Sequence, residues 1–275
     1  MRILIVGLGL IGGSYALKLR EQGHVVYGVD KNFETLRYAR ENNIVDDLSL
    51  DMEDFIDNVD ILVIGLYPKD IIPFIEKKRH LFKEHLLITD ICGIKSEIAY
   101  QAVSLSKPAT FIPSHPMAGR EKVGIQFANK DIFKDANFLI TPVEEYEDHK
   151  MNMLKQMAYD LGFKNISLIT PEHHDAMIAY TSQLTHAIAV SLVNSKEASD
   201  IKDFIGDSYR DLTRIAKING ELWSQLFLSN KDFLIDEIVN FENQLDRIKM
   251  ALLEENSEDL KEIFKESKEK RESLE

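Results

Sequence analysis

Hydrophobic and polar positions fall into two textures along the chain. Residues 2 to 6, RILIV, are a short apolar run ending at glycine, and the segment LGLIGGSYALKLREQG beyond it has helical spacing that stops at Gly23. The run HVVYGV then closes on Asp30, which predicts a βαβ unit within about 30 residues. Further strand-like runs lie at 60–66, 85–91, 109–114, 137–142 and 164–169, with amphipathic stretches at 68–81, 95–105 and 146–161 between them. This alternation predicts an α/β domain built on a mainly parallel sheet with helices on both faces.

The texture changes at Thr170. Its hydroxyl suits an N-cap, Pro171 suits the first helical position, and Glu172 suits the positive end of the helix dipole. Beyond Pro171 there is no further proline, and the pattern is helical throughout, at 171–196, 203–219, 222–252 and 256–272. The expected division is therefore 1–169, α/β, and 170–275, all helical. Apolar stripes such as Ile178, Leu184, Ile188 and Leu192, and Phe233, Ile235, Ile238 and Phe241, suit either an intramolecular bundle or a second subunit; a homodimer through the helical domain is the favoured reading. The charge-rich end, 254–275, reads as a solvated terminal helix.

Composition narrows the function. The chain has 33 Lys and Arg against 46 Asp and Glu, a formal charge of −13, so its mean field repels nucleic acid and anionic membranes. An anionic small ligand would need a local cluster of donors. The single cysteine, Cys92, leaves no internal disulfide or multi-thiolate metal site, which fits the cytoplasm. The charge-free run Ile3–Leu17 has the look of a signal peptide, but Gly7, Gly9, Gly12 and Gly13 interrupt it, and no other run approaches a membrane span. A soluble protein is expected.

Gly7-Leu8-Gly9-Leu10-Ile11-Gly12 matches G-x-G-x-x-G between a strand and a helix, and Asp30 stands 18 residues beyond Gly12 at the end of the second strand. Gly7 suits the tight turn, Gly9 the approach of backbone N–H groups to a pyrophosphate, and Gly12 close helix-to-strand packing; Asp30 suits ribose hydroxyls. This context predicts a Rossmann-type domain that binds NAD, with Gly7, Gly9, Leu10, Ile11, Gly12 and Asp30 at the cofactor. A carboxylate at Asp30 would repel the 2′-phosphate of NADP.

Ligands of a parallel sheet bind beyond the carboxyl ends of its strands. Pro68-Lys69, Cys92-Gly93-Ile94-Lys95 and Ser114-His115-Pro116 follow strand runs. His115 is the sharpest of these, since a neutral imidazole accepts a proton from a hydroxyl being oxidised. His173 and His174 point about 100° apart on a helix, no acid or thiolate cluster completes a metal shell around them, and they read as a surface pair at a helix start. No metal site is expected.

The motifs GLGLIGGS (7–14), DICGIK (90–95), SHPMAG (114–119), TSQLTHAIA (181–189) and YRDLTRIA (209–216), followed by Trp223, resemble in order and spacing those of the prephenate dehydrogenase family, including its arogenate-using relatives. The resemblance spans residues 1 to about 245. It implies NAD-dependent oxidative decarboxylation of prephenate to 4-hydroxyphenylpyruvate, a step toward tyrosine, with arogenate as the alternative substrate. It implies that His115 is the catalytic base, that Arg214 grips a substrate carboxylate, and that His186 lines the substrate pocket with Gln183 and Ser182 beside it. Trp223 fits either pocket closure or core packing. Pro68 and Lys95 fall on the cofactor side, with a surface position the other reading of Lys95. Asp211 is expected to orient Arg214 as an i,i+3 ion pair. Many members carry serine where this chain has Gly93, so a backbone group, water, Cys92 or another arrangement must hold His115. The chain ends soon after the helical region, so a separate regulatory domain is not expected. A non-catalytic NAD-binding sensor is the reading from another functional class. A 3-hydroxyacid-type dehydrogenase would call for a lysine on the first long helix, and 171–195 has none.

Overall fold

In a computed structural model the protein is described over residues 1–197 and 201–274. Six parallel strands, β1 (Arg2–Val6), β2 (Val25–Val29), β3 (Asp47–Ser49), β4 (Ile61–Ile64), β5 (Leu87–Asp90) and β6 (Thr110–Phe111), lie in the order β3-β2-β1-β4-β5-β6. The helices α1 (Leu10–Glu21), α2 (Phe33–Glu41), α3 (Pro68–Lys78) and α4 (Ala99–Ser106) connect them. Strand β1 pairs with β2 on one side and β4 on the other, and the chain winds outward in opposite directions from that pair. The crevice at this reversal opens above the carboxyl ends of β1 and β4, where a doubly wound sheet places its ligand. The central strands are buried on both faces, as their unbroken apolar runs require.

A second sheet holds β7 (Ser114–Pro116), β8 (Asn137–Ile140) and β9 (Asn165–Leu168), with β7 antiparallel to β8, and α5 (Asp148–Leu161) joins β8 to β9. The run 109–114, read from sequence as one strand, is thus divided between two sheets. Pro113 stands at the division: it has no N–H to continue the β6 ladder, and its carbonyl accepts instead from Thr141 N at 3.0 Å. His115 consequently lies within β7, opposite Leu139, rather than just beyond the end of a strand as the sequence suggests.

After β9 every described element is helical: α6 (Pro171–Ile178), α7 (Leu184–Asn194), α8 (Asp207–Thr213), α9 (Gly220–Ser229), α10 (Lys231–Leu253) and α11 (Ser257–Glu272). Thr170 caps α6, its Oγ1 accepting from His173 N at 3.2 Å. A π-helical turn, Ala179–Gln183, joins α6 to α7 without ending the helix. The stretch 203–219 is three short helical pieces, Lys202–Phe204, Asp207–Thr213 and Arg214–Ala216, and 222–252 breaks at Asn230. Met1–Asn230 forms one compact unit and Lys231–Glu275 another.

Candidate active site

The loop after β1 is built on glycines that admit no side chain. Gly7 has φ +97°, and a Cβ there would lie 2.3 Å from the carbonyl oxygen of Gly65, at the end of β4; a Cβ on Gly12 would lie 2.0 Å from the Gly7 carbonyl. A Cβ on Gly9 would meet no atom within 4 Å, so the loop presents its backbone to open space there. Asp30 ties the loop to β2, its Oδ2 accepting from Leu8 N at 2.9 Å and its Oδ1 from Asn32 N at 2.8 Å. A carboxylate has about four acceptor positions, so two remain for a ligand. These features fit a dinucleotide: the backbone of residues 9–12 at the start of α1 for the pyrophosphate, and Asp30 for ribose.

A cavity of about 770 Å³ opens from this loop, and its wall includes Gly9, Leu10, Ile11, Gly12, Pro68, His115, Gln183, His186 and Trp223. Gly7, Asp30, Lys95 and Arg214 do not line it. Gly7 and Asp30 support the loop from behind. Lys95 is neither on the surface nor at the cavity: it is 1% exposed and forms an ion pair with Asp90, also 1% exposed, whose carboxylate further accepts from Cys92 N and Ser114 N. Arg214, 64% exposed in its side chain, pairs with Glu121, which does line the cavity. The expected pair with Asp211 is not formed among the described residues, because α8 gives way to a tighter turn at Arg214–Ala216.

Sequence reading missed the side chains that hold His115. His115 Nδ1 lies 2.9 Å from His174 Nε2, and His174 Nδ1 lies 2.7 Å from Asp175 Oδ1. His174 is fully buried, which corrects its reading as a surface residue; His173 is exposed. With Gly93 offering no hydroxyl, His115 is held from its Nδ1 side by His174, whereas a side chain at position 93 would approach Nε2. The signal was present in the helical spacing: Pro171, His174, Asp175 and Ile178, at i, i+3, i+4 and i+7, form the buried face of α6. Burial pushes the His115 pKa well below its ordinary value of 6.5, and His174 and Lys95 push the same way. Burial also lowers His174, outweighing its hydrogen bond to Asp175. Both rings are neutral at neutral pH.

Also lining the cavity, His186 donates from Nδ1 to the Ser182 carbonyl at 2.8 Å, which leaves Nε2 as an acceptor, and its ring stacks on Trp223 with centroids 3.7 Å apart. Gln183 is largely committed within the protein: its Nε2 donates to Leu226 O at 2.9 Å and its Oε1 accepts from Asn230 Nδ2 at 2.8 Å. The cavity wall also carries Arg120, Lys122 and Lys217, none of them in an ion pair among the described residues, against one carboxylate, Glu121, that Arg214 already engages. An acidic protein thus lines this cavity with an excess of cations, the local donors that an anionic ligand needs.

Comparison with known proteins agrees with this geometry. The model described as prephenate dehydrogenase, nucleotide-binding domain, matches residues 15–167, and that described as prephenate dehydrogenase, dimerization domain, matches 170–266. Prephenate dehydrogenase of Lactococcus lactis subsp. cremoris is 31% identical over 285 residues, covering 100% of this chain and 77% of that protein. The crystal structure of prephenate dehydrogenase from A. aeolicus in complex with hydroxyphenyl propionate and NAD+ superposes with a TM-score of 0.90 at 28% identity, covering 100% of this chain and 98% of that one. Synechocystis arogenate dehydrogenase superposes with a TM-score of 0.83 at 27% identity, with both chains covered in full. By sequence, fold and the arrangement of its cavity, the chain belongs to the prephenate dehydrogenase family.

Proposed function

We propose that this protein oxidatively decarboxylates prephenate to 4-hydroxyphenylpyruvate with NAD as acceptor. One observation carries the reading: His115 lines the same cavity as the glycine loop, with its ring Nδ1 engaged by His174, so Nε2 is the nitrogen available to a ligand. Residues 9–12 and Asp30 would hold the dinucleotide, which when bound supplies the hydride acceptor. His115 Nε2 takes the proton of the ring 4-hydroxyl as that carbon is oxidised. Loss of CO2 then restores an aromatic ring, so the residues need only hold the substrate's two carboxylates and keep water away. Arg120, Lys122 and Lys217 line the cavity for that task, and Arg214 joins them at the rim if its pairing with Glu121 is shared with the substrate. His186, stacked on Trp223, offers Nε2 as a further acceptor.

Arogenate is the second reading, since a relative of that name shares the fold. It replaces the side-chain keto group with an ammonium. The cations on the wall outnumber the carboxylates, and the one carboxylate is engaged, so the charge balance favours the dianionic keto acid. NADH formation with prephenate, with 4-hydroxyphenylpyruvate identified as product, tests the assignment, and a parallel series with arogenate tests the preference. Absence of NADH formation with either substrate would leave a non-catalytic NAD-binding protein.

We also place the division of labour near residues 169–170, with cofactor contacts before it and substrate contacts mainly after it. A second copy of the chain is the proposed cover for the exposed apolar side chains Met177, Tyr180 and Val193 on α6, the π-helical turn and α7, and for Ile235, Val239 and Leu245 on α10. The helix Pro171–Asn194 is long and apolar enough to cross a membrane by length and composition, but it delivers Ser182, Gln183 and His186 to the cavity, which favours the interface reading. Cys92 is a free, buried thiol that burial pushes up to about 12, which fits the reducing cytoplasm.

A further inference from the structure

We propose that His174 and Asp175 are positioning residues that lock His115 in the Nδ1–H tautomer, so that its unprotonated Nε2 faces the substrate. The inference rests on His115 being the base and assigns what prepares it.

The proton positions follow outward from the Asp175 carboxylate. Asp175 Oδ1 accepts from Lys95 N at 2.9 Å and Oδ2 from Ser96 N at 2.7 Å. Burial works to raise the Asp175 pKa, but the hydrogen bonds from His174 and Ser96 prevail and hold it below the ordinary carboxylate value. Asp175 is therefore ionised and purely an acceptor. His174 Nδ1, 2.7 Å from Oδ1, must carry a proton. Because burial keeps His174 neutral, its Nε2 is then a lone pair, and His115 Nδ1, 2.9 Å away, must donate to it. Each ring has one proton to place, so His115 Nε2 is left bare.

Without this chain of bonds, a histidine side chain favours the Nε2–H tautomer, which cannot accept the substrate proton at that nitrogen. The lock also provides for charge. When Nε2 takes the hydroxyl proton, the resulting imidazolium keeps its Nδ1–H on His174, with the Asp175 carboxylate behind it as counter-charge; no further atom or electron is required.

The lock is built rigidly. His174 is fully buried and Asp175 is 1% exposed; Asn230 Nδ2 donates to the Asp175 carbonyl at 2.9 Å, which fastens the α6 backbone beside the pair. Among the described residues, His174 is the only side chain hydrogen-bonded to His115. Gly93 contributes no polar group on the other side, although a Cβ placed there would stand 3.7 Å from Nε2.

The test uses the full chain labelled with 15N-histidine, with long-range proton–nitrogen spectra at neutral pH, and steady-state kinetics on the same samples. The expected spectrum shows His115 protonated at Nδ1 and bare at Nε2, reverting to Nε2–H in His174→Leu. That variant should lose about 10²-fold or more in kcat, the scale of general-base catalysis, with the KM for NAD little changed. His174→Gln, whose carboxamide oxygen can accept from His115 Nδ1–H, should recover at least about tenfold of the loss. A wild-type His115 protonated at Nε2, a folded His174→Leu with wild-type kcat, or a Gln variant no better than Leu would each overturn the proposal. The spectra report the tautomer whether or not prephenate is turned over, so a failed lock and a failed assignment of His115 as base are separate results.

Discussion

Acidification should weaken the folded state by an amount set by the two buried histidines. In the unfolded chain each titrates near 6.5, whereas burial, with further contributions from neighbouring charges, lowers both His115 and His174 in the fold. Below pH 6.5 the unfolded chain therefore binds protons that the native chain does not, so stability rises with pH and is lost as pH falls toward the folded values. Each histidine contributes at most about 1.4 kcal/mol per pH unit, so lowering pH from about 7.5 to about 5.5 should cost at most about 1.4 kcal/mol for each and about 2.7 kcal/mol for the pair, the ceiling being reached only by a group whose folded pKa lies well below about 5.5. Ordinary carboxylates add to this with the same sign only below about pH 5. Urea unfolding at the two pH values measures the loss, and His115→Asn should reduce it by up to about 1.4 kcal/mol. Equal pH dependence in the wild type, His115→Asn and His174→Gln would refute the reasoning.

Other outcomes follow from single contacts. Lys95→Met strands the buried Asp90 carboxylate, so it should cost about 3–5 kcal/mol and lower Tm by about 10 °C in a calorimetric scan. Gly93→Ser should fold with a loss below about 1 kcal/mol by urea titration, because its Cβ would meet Leu226 at 3.4 Å and His115 at 3.7 Å, both ordinary contacts. Lys217→Ala should raise the KM for prephenate by about tenfold or more while leaving kcat nearly unchanged, as steady-state assays at saturating NAD would show.

Legibility in the sequence followed the range of the interactions. The unit β1-α1-β2 and its glycine loop were readable because strand, turn and helix signals are local, and Gly7 and Gly12 are glycines for reasons that the spacing encodes. The three-residue β3 pairs with β2 along a few positions only and carries too short a pattern to find. The split between β6 and β7 depends on which partners those residues meet, Ile88 in one sheet and Leu139 in the other. His174 was misread because its environment comes from His115, 59 positions earlier, and, through Asp175, from the backbone at Lys95 and Ser96, about 80 positions earlier. Of the adjacent pair, only His174 lies on the buried stripe of α6, and that stripe, rather than metal-ligand spacing, separates its role from that of His173. Lys95 was placed with the cofactor by resemblance, and no periodicity in its segment could show that its ammonium is enclosed against Asp90. Arg214 has its substrate role by resemblance alone; it stands outside the cavity lining, and its partner Glu121, 93 positions away, cannot be named from helical spacing.

The most direct test of the account is prephenate-dependent NADH formation by the wild type and His115→Asn, with NAD affinity measured on both by calorimetry. Turnover should fall by about 10²–10⁴-fold in the variant, the worth of a positioned general base, while NAD binds about as tightly as before. A variant that folds, binds NAD and turns over prephenate at the wild-type rate would contradict the role given to His115 and the chemistry built around it.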